Sequence, residues 1–362
     1  MAAGWERQAL RTRTFLTLGI LISMSLGVAL AAWLVVAANA GAVLRAFAAV
    51  GWGLAAIVFI RAAVVALNGT AWAQLLAGAA PTPTRVCLLL RWIREAINVL
   101  LPVANVGGEI VGARLLTFWR VPAGIAIASA LADLLLQAGA QAVFALVGAV
   151  LLVGMVGVWP VGAEVGAGFA VAALALGGFY VVQRHGGARF IDRALVALAA
   201  RWPSAGAAAD LRLHEGLEAI WRDWRRVAIT TSIHMVGWLI GTLEVLIALE
   251  LMGHPVSLKA AIILESLTHA VRGAAFVIPG ALGAQEAGLV VLGHLVGLAP
   301  ETALALSLVK RVPDLALGLP GLWAWHWLEV RRLLSTRRWT RSEAQSAEAQ
   351  PRPRPSSLIG ER

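Results

Sequence analysis

The sequence predicts an all-α, polytopic membrane protein of about eight transmembrane segments, with two broken or re-entrant helices that one interpretation relates as an inverted repeat. Its 362 residues are 59% hydrophobic and only 14% charged, and the mean hydropathy is +0.79, which water-soluble domains do not reach. Several apolar runs are long enough to cross about 30 Å of hydrocarbon as helices, and their unbroken length excludes a multi-stranded barrel. Two similar motifs, PVANVGGE at 102–109 and PGALGAQE at 279–286, interrupt such runs. Because proline and glycine open a helix inside a membrane, these motifs predict the two broken helices.

The first two spans are predicted from the apolar runs nearest the N-terminus. Thr14–Ala38 is too long for the apolar core of a signal peptide, so we expect an uncleaved first span. A second span runs from about Ala46 to Leu67. Pro81 and Pro83 then precede a charged helix that we expect at the cytoplasmic face. The charged residues of that helix are Arg85, Arg91, Arg94 and Glu95.

The middle of the chain contains one broken helix and two further spans. Ile97–Leu116 is interrupted by Pro102 and Gly107, which favours a broken or re-entrant helix over one clean span. Ala123–Trp159 is longer than one span requires, so it is either a tilted helix with a loop or a span followed by interfacial structure. We count it as the third span and Gly162–Val182 as the fourth.

Residues 183–226 are predicted to form a cytoplasmic amphipathic connector. Hydrophobicity falls in this segment and arginine becomes frequent, while Leu211, Leu217 and Ile220 recur at helical spacings. The tryptophans of the segment suit an anchor at the level of the lipid headgroups. We therefore expect the connector to lie along the membrane rather than to cross it.

The C-terminal part of the chain is predicted to contain a span, a second broken helix and a last span. Val227–Met252 is the fifth span, and Leu258–Ile278 leads into the second motif. Ala287–Leu298 leads away from that motif, and Thr302–Leu328 is the last span. The broken segment again contains proline and glycine, as in the N-terminal half.

The distribution of arginine predicts the orientation and excludes one class of partner. The formal net charge is +10 and the pI is near 11.4, but the arginines lie between apolar runs and are not interleaved with base-stacking aromatic residues. Positive-inside topology explains them, so we expect no nucleic-acid binding and both termini in the cytoplasm, with an even number of crossings. The chain then divides into a cytoplasmic N-terminus (1–13), a transmembrane domain (14–330) and a basic, disordered cytoplasmic tail (331–362).

Signatures of enzymes and of bound cofactors are lacking in the sequence. The seven histidines show no metal-ligand spacing, and there is no nucleophile elbow or phosphate loop. Cys87 is the one cysteine, so no internal disulfide can form, and its apolar surroundings indicate a packing role. We therefore predict no catalytic residue, no metal, no cofactor and no enzymatic activity.

Each of the two motifs, named here the first corner (102–109) and the second corner (279–286), places a glutamate seven residues after a proline. An ionisable side chain inside a membrane is costly and is usually kept because it binds or moves something. The amide groups of an opened helix can coordinate a polar headgroup or an ion, with the carboxylate as counter-ion or proton site. The alternative is structural, with kinked helices and each glutamate paired to a neighbouring arginine.

Other ionisable residues within the apolar runs are expected to converge with the corners on one headgroup site. Lys310 and Arg311 are predicted to pair with Asp314, Glu286 or Glu109, or to face a wet cavity. The alternative is a set of structural ion pairs that fix helix register. The predicted substrate-path or headgroup-binding residues are Asn98, Pro102, Gly107, Gly108, Glu109, Asp133, Arg272, Pro279, Gly280, Gly283, Gln285, Glu286, Lys310, Arg311 and Asp314.

At these residues the chain resembles the flippase-like membrane domain of the lysylphosphatidylglycerol synthase family, also called the multiple peptide resistance factor family. The resemblance covers nearly the whole membrane region and is carried by Asn98, Pro102, Gly108-Glu109, Asp133 and the second corner. Through PGALGAQE and KRVPDLALGLPG the chain is most similar, within the family, to stand-alone hopanoid-biosynthesis-associated membrane proteins. The resemblance implies a bacterial inner-membrane protein that handles lipids. Aminoacyl transfer is not expected, because only a short charged tail follows Leu328.

The leading functional hypothesis is an inner-membrane lipid translocase or lipid-transport component. Glu109 and Glu286 are expected at opposed broken helices, with Asp133, Lys310 and Arg311 as their partners. The resemblance implies a role in hopanoid biosynthesis or transport, and hopanoids or anionic phospholipids are the expected lipids. Two alternatives stay open: an integral-membrane lipid-modifying enzyme with one of the two glutamates as general base, and a non-catalytic assembly partner of lipid-synthesis enzymes.

Overall fold

The described part of the protein is all-helical, as the sequence predicts. A computed structural model describes residues 40–101, 107–156, 213–275 and 281–349, together with residues 33, 36 and 278. Within these ranges it contains ten α-helices and one short 3-10 helix, and no strand. The chain divides into the units Met1–Gly321 and Leu322–Arg362, and every contact discussed below lies within the first unit.

The helices are numbered in chain order. They are α1 Ala40–Val50, α2 Gly53–Leu76, α3 Thr84–Leu100, α4 Gly107–Leu116, α5 Ala123–Val156, α6 Leu213–Arg222, α7 Trp224–Leu251, α8 Leu258–Ala274, α9 Ala284–Leu295 and α10 Pro300–Ala349.

Three of the described helices, α2, α5 and α7, are long and apolar enough to cross a membrane. They confirm that the chain is a membrane protein, and α5 and α7 coincide with the predicted third and fifth spans. The predicted first span lies outside the described residues except for positions 33 and 36, and the predicted fourth span, 162–182, lies wholly outside them. The count of eight spans and the inverted repeat therefore stay predictions.

The predicted bounds of the second span, Ala46 to Leu67, are wrong. Helix α1 ends at Val50, and Gly51 has φ +49°, a left-handed conformation that terminates a helix and favours glycine. Helix α2 then begins at Gly53 and continues to Leu76. Hydropathy alone could not locate this break, because the residues on both sides of it are apolar.

Both predicted interruptions are present, and the two glutamates have equivalent local positions. Helix α3 ends at Leu100 and α4 begins at Gly107, while α8 ends at Ala274 and α9 begins at Ala284. Glu109 and Glu286 each occupy the first turn of the helix that follows the break. A carboxylate is favourable there because the first backbone N–H groups of a helix have no partner within it.

A side-chain cap explains where α7 begins, and an apolar face explains how α6 packs. The Asp223 side chain accepts a hydrogen bond of 3.2 Å from the backbone N–H of Arg226, which places the start of α7 at Trp224. Leu217 and Ile220 of α6 are buried against α2 and α5, as their spacing predicts, and Leu213 joins them. Leu211 and most of the connector, up to residue 212, lie outside the described residues.

The last helix is longer than the predicted last span. Helix α10 runs from Pro300 to Ala349, past the predicted end at Leu328 and into the segment 331–362 predicted to be disordered. Residues 350–362 lie outside the described ranges. In the first unit, buried residues of α10 pack with α1, α2, α5, α7, α8 and α9 in one hydrophobic core, through side chains such as Leu306 and Val309.

Candidate functional site

Three buried polar networks lie among these helices. The N-terminal network comprises Asn68, Trp72, Arg91, Arg94, Asn98, Glu109, Asp133, Gln137 and His234. The C-terminal network comprises Gly283, Gln285, Glu286, Ser307 and Arg311. The Lys310 network comprises Arg61, Glu244, Glu265, His269 and Lys310.

Asn98 joins the two helices that flank the first corner. Its Oδ1 atom accepts a hydrogen bond of 2.8 Å from the backbone N–H of Gly108, and its Nδ2 atom donates to Oε1 of Glu109 at 3.4 Å. Gly108 is in the first turn of α4, where backbone N–H groups need a partner from outside the helix. Asn98 therefore caps α4 from the end of α3 and orients the Glu109 carboxylate.

Arg94 is the centre of the N-terminal network, with a side chain only 1% exposed. Its Nη2 atom forms an ion pair with Glu109 and lies 3.0 Å from Oδ2 of Asp133. The guanidinium carbon is 4.5 Å from the ring centre of Trp72. Burying this charge is tolerable because two carboxylates and an aromatic face replace water.

Asp133 connects four helices through one carboxylate. Oδ2 is 3.1 Å from Nη1 of Arg91 on α3, and Oδ1 is 3.1 Å from Nε2 of His234 on α7. The Nδ1 atom of His234 lies 2.9 Å from Oδ1 of Asn68 on α2. The network therefore links α2, α3, α5 and α7 through a side chain that is completely buried.

The C-terminal network surrounds Glu286. Its Oε2 atom accepts a hydrogen bond of 2.7 Å from the backbone N–H of Gly283, the residue before α9, which is one of the two hydrogen bonds of a capping box. Its Oε1 atom accepts from Oγ of Ser307 at 3.0 Å and from Nη2 of Arg311 at 3.1 Å. Gln285 donates to the same Ser307 hydroxyl at 3.1 Å. The pairing of Arg311 with Glu286 is one of the partners that the sequence predicts.

The Lys310 network corrects one prediction. Lys310 pairs with none of Asp314, Glu286 and Glu109, and its side chain is 1% exposed. Its Nζ atom lies 2.6 Å from Oε2 of Glu265 and 3.6 Å from Oε2 of Glu244. The other partners of these carboxylates are Arg61, which holds Glu244 through two hydrogen bonds of 2.8 and 2.6 Å, and His269, 3.0 Å from Glu265. Lys310 lies on α10, which packs with α7 and α8 in the hydrophobic core, so the packing of those helices selects its partners.

A shallow recess lies where α2, α3 and α10 meet; its empty space of about 280 Å³ is partly open to the surroundings, and its enclosed part has room for about one water molecule. Each of its three charged residues also forms an ion pair inside the protein. Arg61 belongs to the Lys310 network, Glu95 is 3.5 Å from Arg91 of the N-terminal network, and Asp314 is 3.7 Å from Arg272. Apolar and aromatic side chains complete the wall, which is lined by Arg61, Val65, Trp92, Glu95, Ala96, Val99, Pro313, Asp314, Leu317 and Gly318. The recess therefore combines charges of both signs with an apolar surface.

The structure brings the predicted residues together in groups rather than in one site. Asn98, Gly108, Glu109 and Asp133 share the N-terminal network, and Gly283, Gln285, Glu286 and Arg311 share the C-terminal one. Arg272 pairs with Asp314, and Gly107 is the first residue of α4. The expected convergence of the two glutamates is not seen in the described part of the chain, where their networks share no residue. Pro102, Pro279 and Gly280 lie outside the described residues.

Several polar residues of the networks were not assigned to the site from the sequence. Arg91 and Arg94 were placed at the cytoplasmic face because arginines between apolar runs are typical of loops, yet both are buried. Glu244 and Glu265 carried a usable signal, since each is an acidic residue inside an apolar run. His234 and His269 carried none, because an isolated histidine is compatible with ordinary packing. Among the described residues, no group of three or more His, Cys, Asp or Glu side chains is arranged to hold a metal ion.

Comparison with known families gives one match that covers most of the chain. A family model described as the lysylphosphatidylglycerol synthase TM region matches residues 17–336. Searches of curated proteins and of solved structures found no match.

Proposed function

Because the chain belongs to the family of lysylphosphatidylglycerol synthase transmembrane regions, we propose that it is a lipid translocase or lipid-transport component of a bacterial inner membrane. The recess between α2, α3 and α10 is the observation that carries this proposal. It offers three charged side chains beside an apolar wall, a combination that suits contact with a headgroup at its open side while the acyl chains stay in lipid. Hydrophobic walls with a few polar groups are the usual composition of ligand sites.

The two corners are connected to this recess through ion pairs. Glu109 pairs with Arg94, Arg94 with Asp133, and Asp133 with Arg91, which contacts Glu95 at the recess. On the opposite wall, Asp314 lies one turn after Arg311, the partner of Glu286. A headgroup in the recess would therefore compete for charges that both corners help to position.

The charges of the recess favour a lipid with a charged headgroup. A phosphate could bind Arg61 by replacing Glu244, which holds the guanidinium through two hydrogen bonds, since guanidinium groups match phosphate geometry. A hopanoid with only hydroxyl groups would offer no charge to Arg61, Glu95 or Asp314, which would keep only their partners inside the protein. Hopanoid transport, which the family resemblance implies, therefore enters the test as a separate probe beside phospholipids.

A lipid-modifying enzyme is less well supported by the geometry. A general base must be able to accept a proton from a bound substrate. Glu109 is held by Arg94 and Asn98, and Glu286 by Arg311, Ser307 and the N–H of Gly283. Each oxygen of both carboxylates thus contacts a partner from the protein.

The first test measures movement of fluorescent lipids in proteoliposomes. Lipids labelled on the headgroup are placed in the inner leaflet, and their appearance in the outer leaflet is followed with a membrane-impermeant quencher. Phosphatidylglycerol, phosphatidylethanolamine and a hopanoid-like probe are compared. The informative variant is Glu95→Gln. The Glu95 side chain is 34% exposed, and its buried partner Arg91 keeps its ion pair with Asp133 when Glu95 loses its charge. Glu109→Gln and Glu286→Gln test the two corners.

We expect Glu95→Gln to slow transport of the preferred phospholipid about tenfold, since a contact of about 1.4 kcal/mol corresponds to that factor. Glu218→Gln is the matched control, because Glu218 is an exposed glutamate on α6 with a side chain 57% exposed. It should transport like the wild type. Equal lipid movement in wild-type and empty liposomes for every probe would refute the translocase proposal and favour an assembly role.

A further inference from the structure

The Lys310 network forms an electrically balanced set inside the protein. Arg61 and Lys310 supply two positive charges, and Glu244 and Glu265 supply two negative ones. Charges in such a low-dielectric environment are tolerated only when they are paired. A further charge that binds to this set must therefore be balanced by a charge of the opposite sign.

Lys310 lies between two carboxylates that have other cationic or protonatable partners. Its Nζ atom is 2.6 Å from Glu265 and 3.6 Å from Glu244. A shift of the ammonium group toward Glu244, by about the difference between these two distances, would therefore exchange its partner. Glu244 is also held by Arg61, and Glu265 is also held by His269. Each carboxylate could thus exchange Lys310 for a different neighbour.

The two ends of this network are its least buried members. Arg61 lines the recess and its side chain is 12% exposed, whereas Glu244, Glu265 and Lys310 are each 1% exposed. His269, at the other end, is 11% exposed. The two partly exposed ends are therefore the points at which a ligand and a proton would enter the network, with the buried lysine between them.

We propose that binding of an anionic headgroup to Arg61 in the recess is coupled to uptake of a proton by His269, with Lys310 as the residue that transmits the coupling. This inference rests on the proposed lipid-transport function and adds its energy coupling. Together they describe a proton-coupled transporter of phosphate-bearing lipids.

The complete exchange conserves charge, because one anionic headgroup and one proton enter together. The phosphate replaces Glu244 as the partner of Arg61, and the released Glu244 carboxylate takes Lys310. Glu265 then loses the ammonium group and keeps only His269, 3.0 Å away. Protonation of His269 from water restores a cation beside Glu265 and balances the negative charge that the headgroup brings in.

The surroundings of His269 suit this role. On its own helix it faces Glu265, with Arg272 three residues later, and Lys310 approaches from α10. From α7 it meets the ring of Trp238 edge-on at 4.7 Å, and from α5 the Gln141 side chain donates to its backbone carbonyl. Within the described residues, Glu265 is the carboxylate in contact with the ring. Removing Lys310 from Glu265 therefore changes the charge beside His269 directly.

Proton uptake can be measured by calorimetric titration of the full chain in detergent. Dihexanoylphosphatidylglycerol, kept below its micelle concentration, is titrated in two buffers of different ionisation enthalpy between about pH 6 and 8, the range in which histidine titrates. The difference in heat gives the protons bound per lipid. We expect up to about one proton per lipid and an affinity that increases as pH falls, because the complex binds the extra proton.

His269→Gln should bind the lipid with proton uptake near zero, since glutamine keeps a hydrogen bond to Glu265 but cannot titrate. His254→Gln is the matched control, because His254 is exposed and outside the network; it should behave like the wild type. Binding of dihexanoylphosphatidylcholine, whose headgroup has no net charge, should cause the protein to take up fewer protons than binding of phosphatidylglycerol. If His269→Gln fails to fold, the wild-type affinities for the two lipids are compared across the pH range. The proposal requires that the affinity for phosphatidylglycerol increase more as pH falls than the affinity for phosphatidylcholine.

The outcomes separate the coupling from the transport function. Lipid binding or transport by the wild type without proton uptake overturns the coupling and leaves the translocase proposal standing. Proton uptake that persists in His269→Gln likewise overturns the assignment to His269. Absence of both lipid binding and lipid movement would overturn both proposals.

Discussion

At the residue scale, the positions of buried charges depend on glycines that let helices approach. Helix α4 presents Gly108 and Gly112 to α3, where Arg94 lies. A Cβ atom at position 112 would be 2.6 Å from Cγ of Arg94, and one at position 108 would overlap the Arg94 carbonyl oxygen. The ion pair between Arg94 and Glu109 therefore requires side chains of no more than one hydrogen atom at these two positions.

Gly108→Ala tests this close approach. The new methyl group would lie 2.6 Å from Oδ1 of Asn98 and would also meet backbone, so α4 must move away from α3. We expect a loss of about 1–3 kcal/mol in the free energy of unfolding, as for other overpacked sites, measured by thermal or denaturant unfolding in detergent.

Gly139→Ala is the control for the loss of a helical glycine. A Cβ atom there would meet nothing within 4 Å, so alanine should be neutral or stabilise α5 by up to about 1 kcal/mol through its helix propensity. A Gly108→Ala protein as stable as the wild type would show that the two helices are not held in close contact.

At the scale of elements, α3 is held on both sides by specific contacts. Its Trp92 side chain donates a hydrogen bond of 2.8 Å from Nε1 to the backbone carbonyl of Leu317 in α10. Gly318 and Gly321 of α10 allow close packing, since a Cβ atom at Gly321 would lie 2.6 Å from Cβ of Ala96. The recess forms beside this contact, so α3 carries charged residues to the recess on one face and to the N-terminal network on another.

The short helix α6 is the element whose role is simplest to test. Leu217 is completely buried and packs against Leu75, Ala128 and Ala132. Leu217→Ala should lower the free energy of unfolding by about 2–5 kcal/mol, through lost burial and the cavity left behind. The measurement is again unfolding in detergent.

Glu218→Ala is the neighbouring control on the same helix. Its ion pair with Arg222 is exposed, with side chains 57% and 77% accessible, and exposed pairs contribute little to stability. A change within about 0.5 kcal/mol is expected. Similar effects of the two substitutions would mean that α6 is not packed by its apolar face.

At the scale of the whole molecule, orientation follows from charge rather than from packing. The basic residues that precede the first apolar run and follow the last one predict that both termini are cytoplasmic. The three candidate spans among the described helices establish a membrane protein without fixing its orientation. The even number of crossings therefore stays a prediction from the charges near the two termini.

Cysteine labelling checks this orientation. The native Cys87 is buried, so Cys87→Ala removes a background that should already be low. Ala2→Cys and Ser357→Cys are then introduced one at a time, and intact cells are treated with a membrane-impermeant maleimide. We expect neither cysteine to react until the inner membrane is permeabilised. Labelling of one terminus in intact cells would require an odd number of crossings.

The sequence by itself determined the class of the protein and the local form of its corners. The free energy of placing apolar side chains in lipid depends on composition, so hydropathy identified α5 and α7 without any tertiary information. Proline and glycine act on their own backbone, so the breaks before Glu109 and Glu286 were also readable. The resemblance to a lipid-handling family, later matched over residues 17–336, depends on the same local motifs.

Only the tertiary structure decided which charges meet. The partners of a buried charge are set by helix packing, and candidates such as Glu265 and Lys310 are far apart in sequence yet 2.6 Å apart in space. Arg94 was predicted on a helix at the cytoplasmic face, yet it is buried, because composition does not show which face of a helix is covered. Desolvation makes an unpaired charge costly but does not specify its partner. The sequence therefore predicted that the buried charges would be paired, and packing selected the pairs that shape the recess.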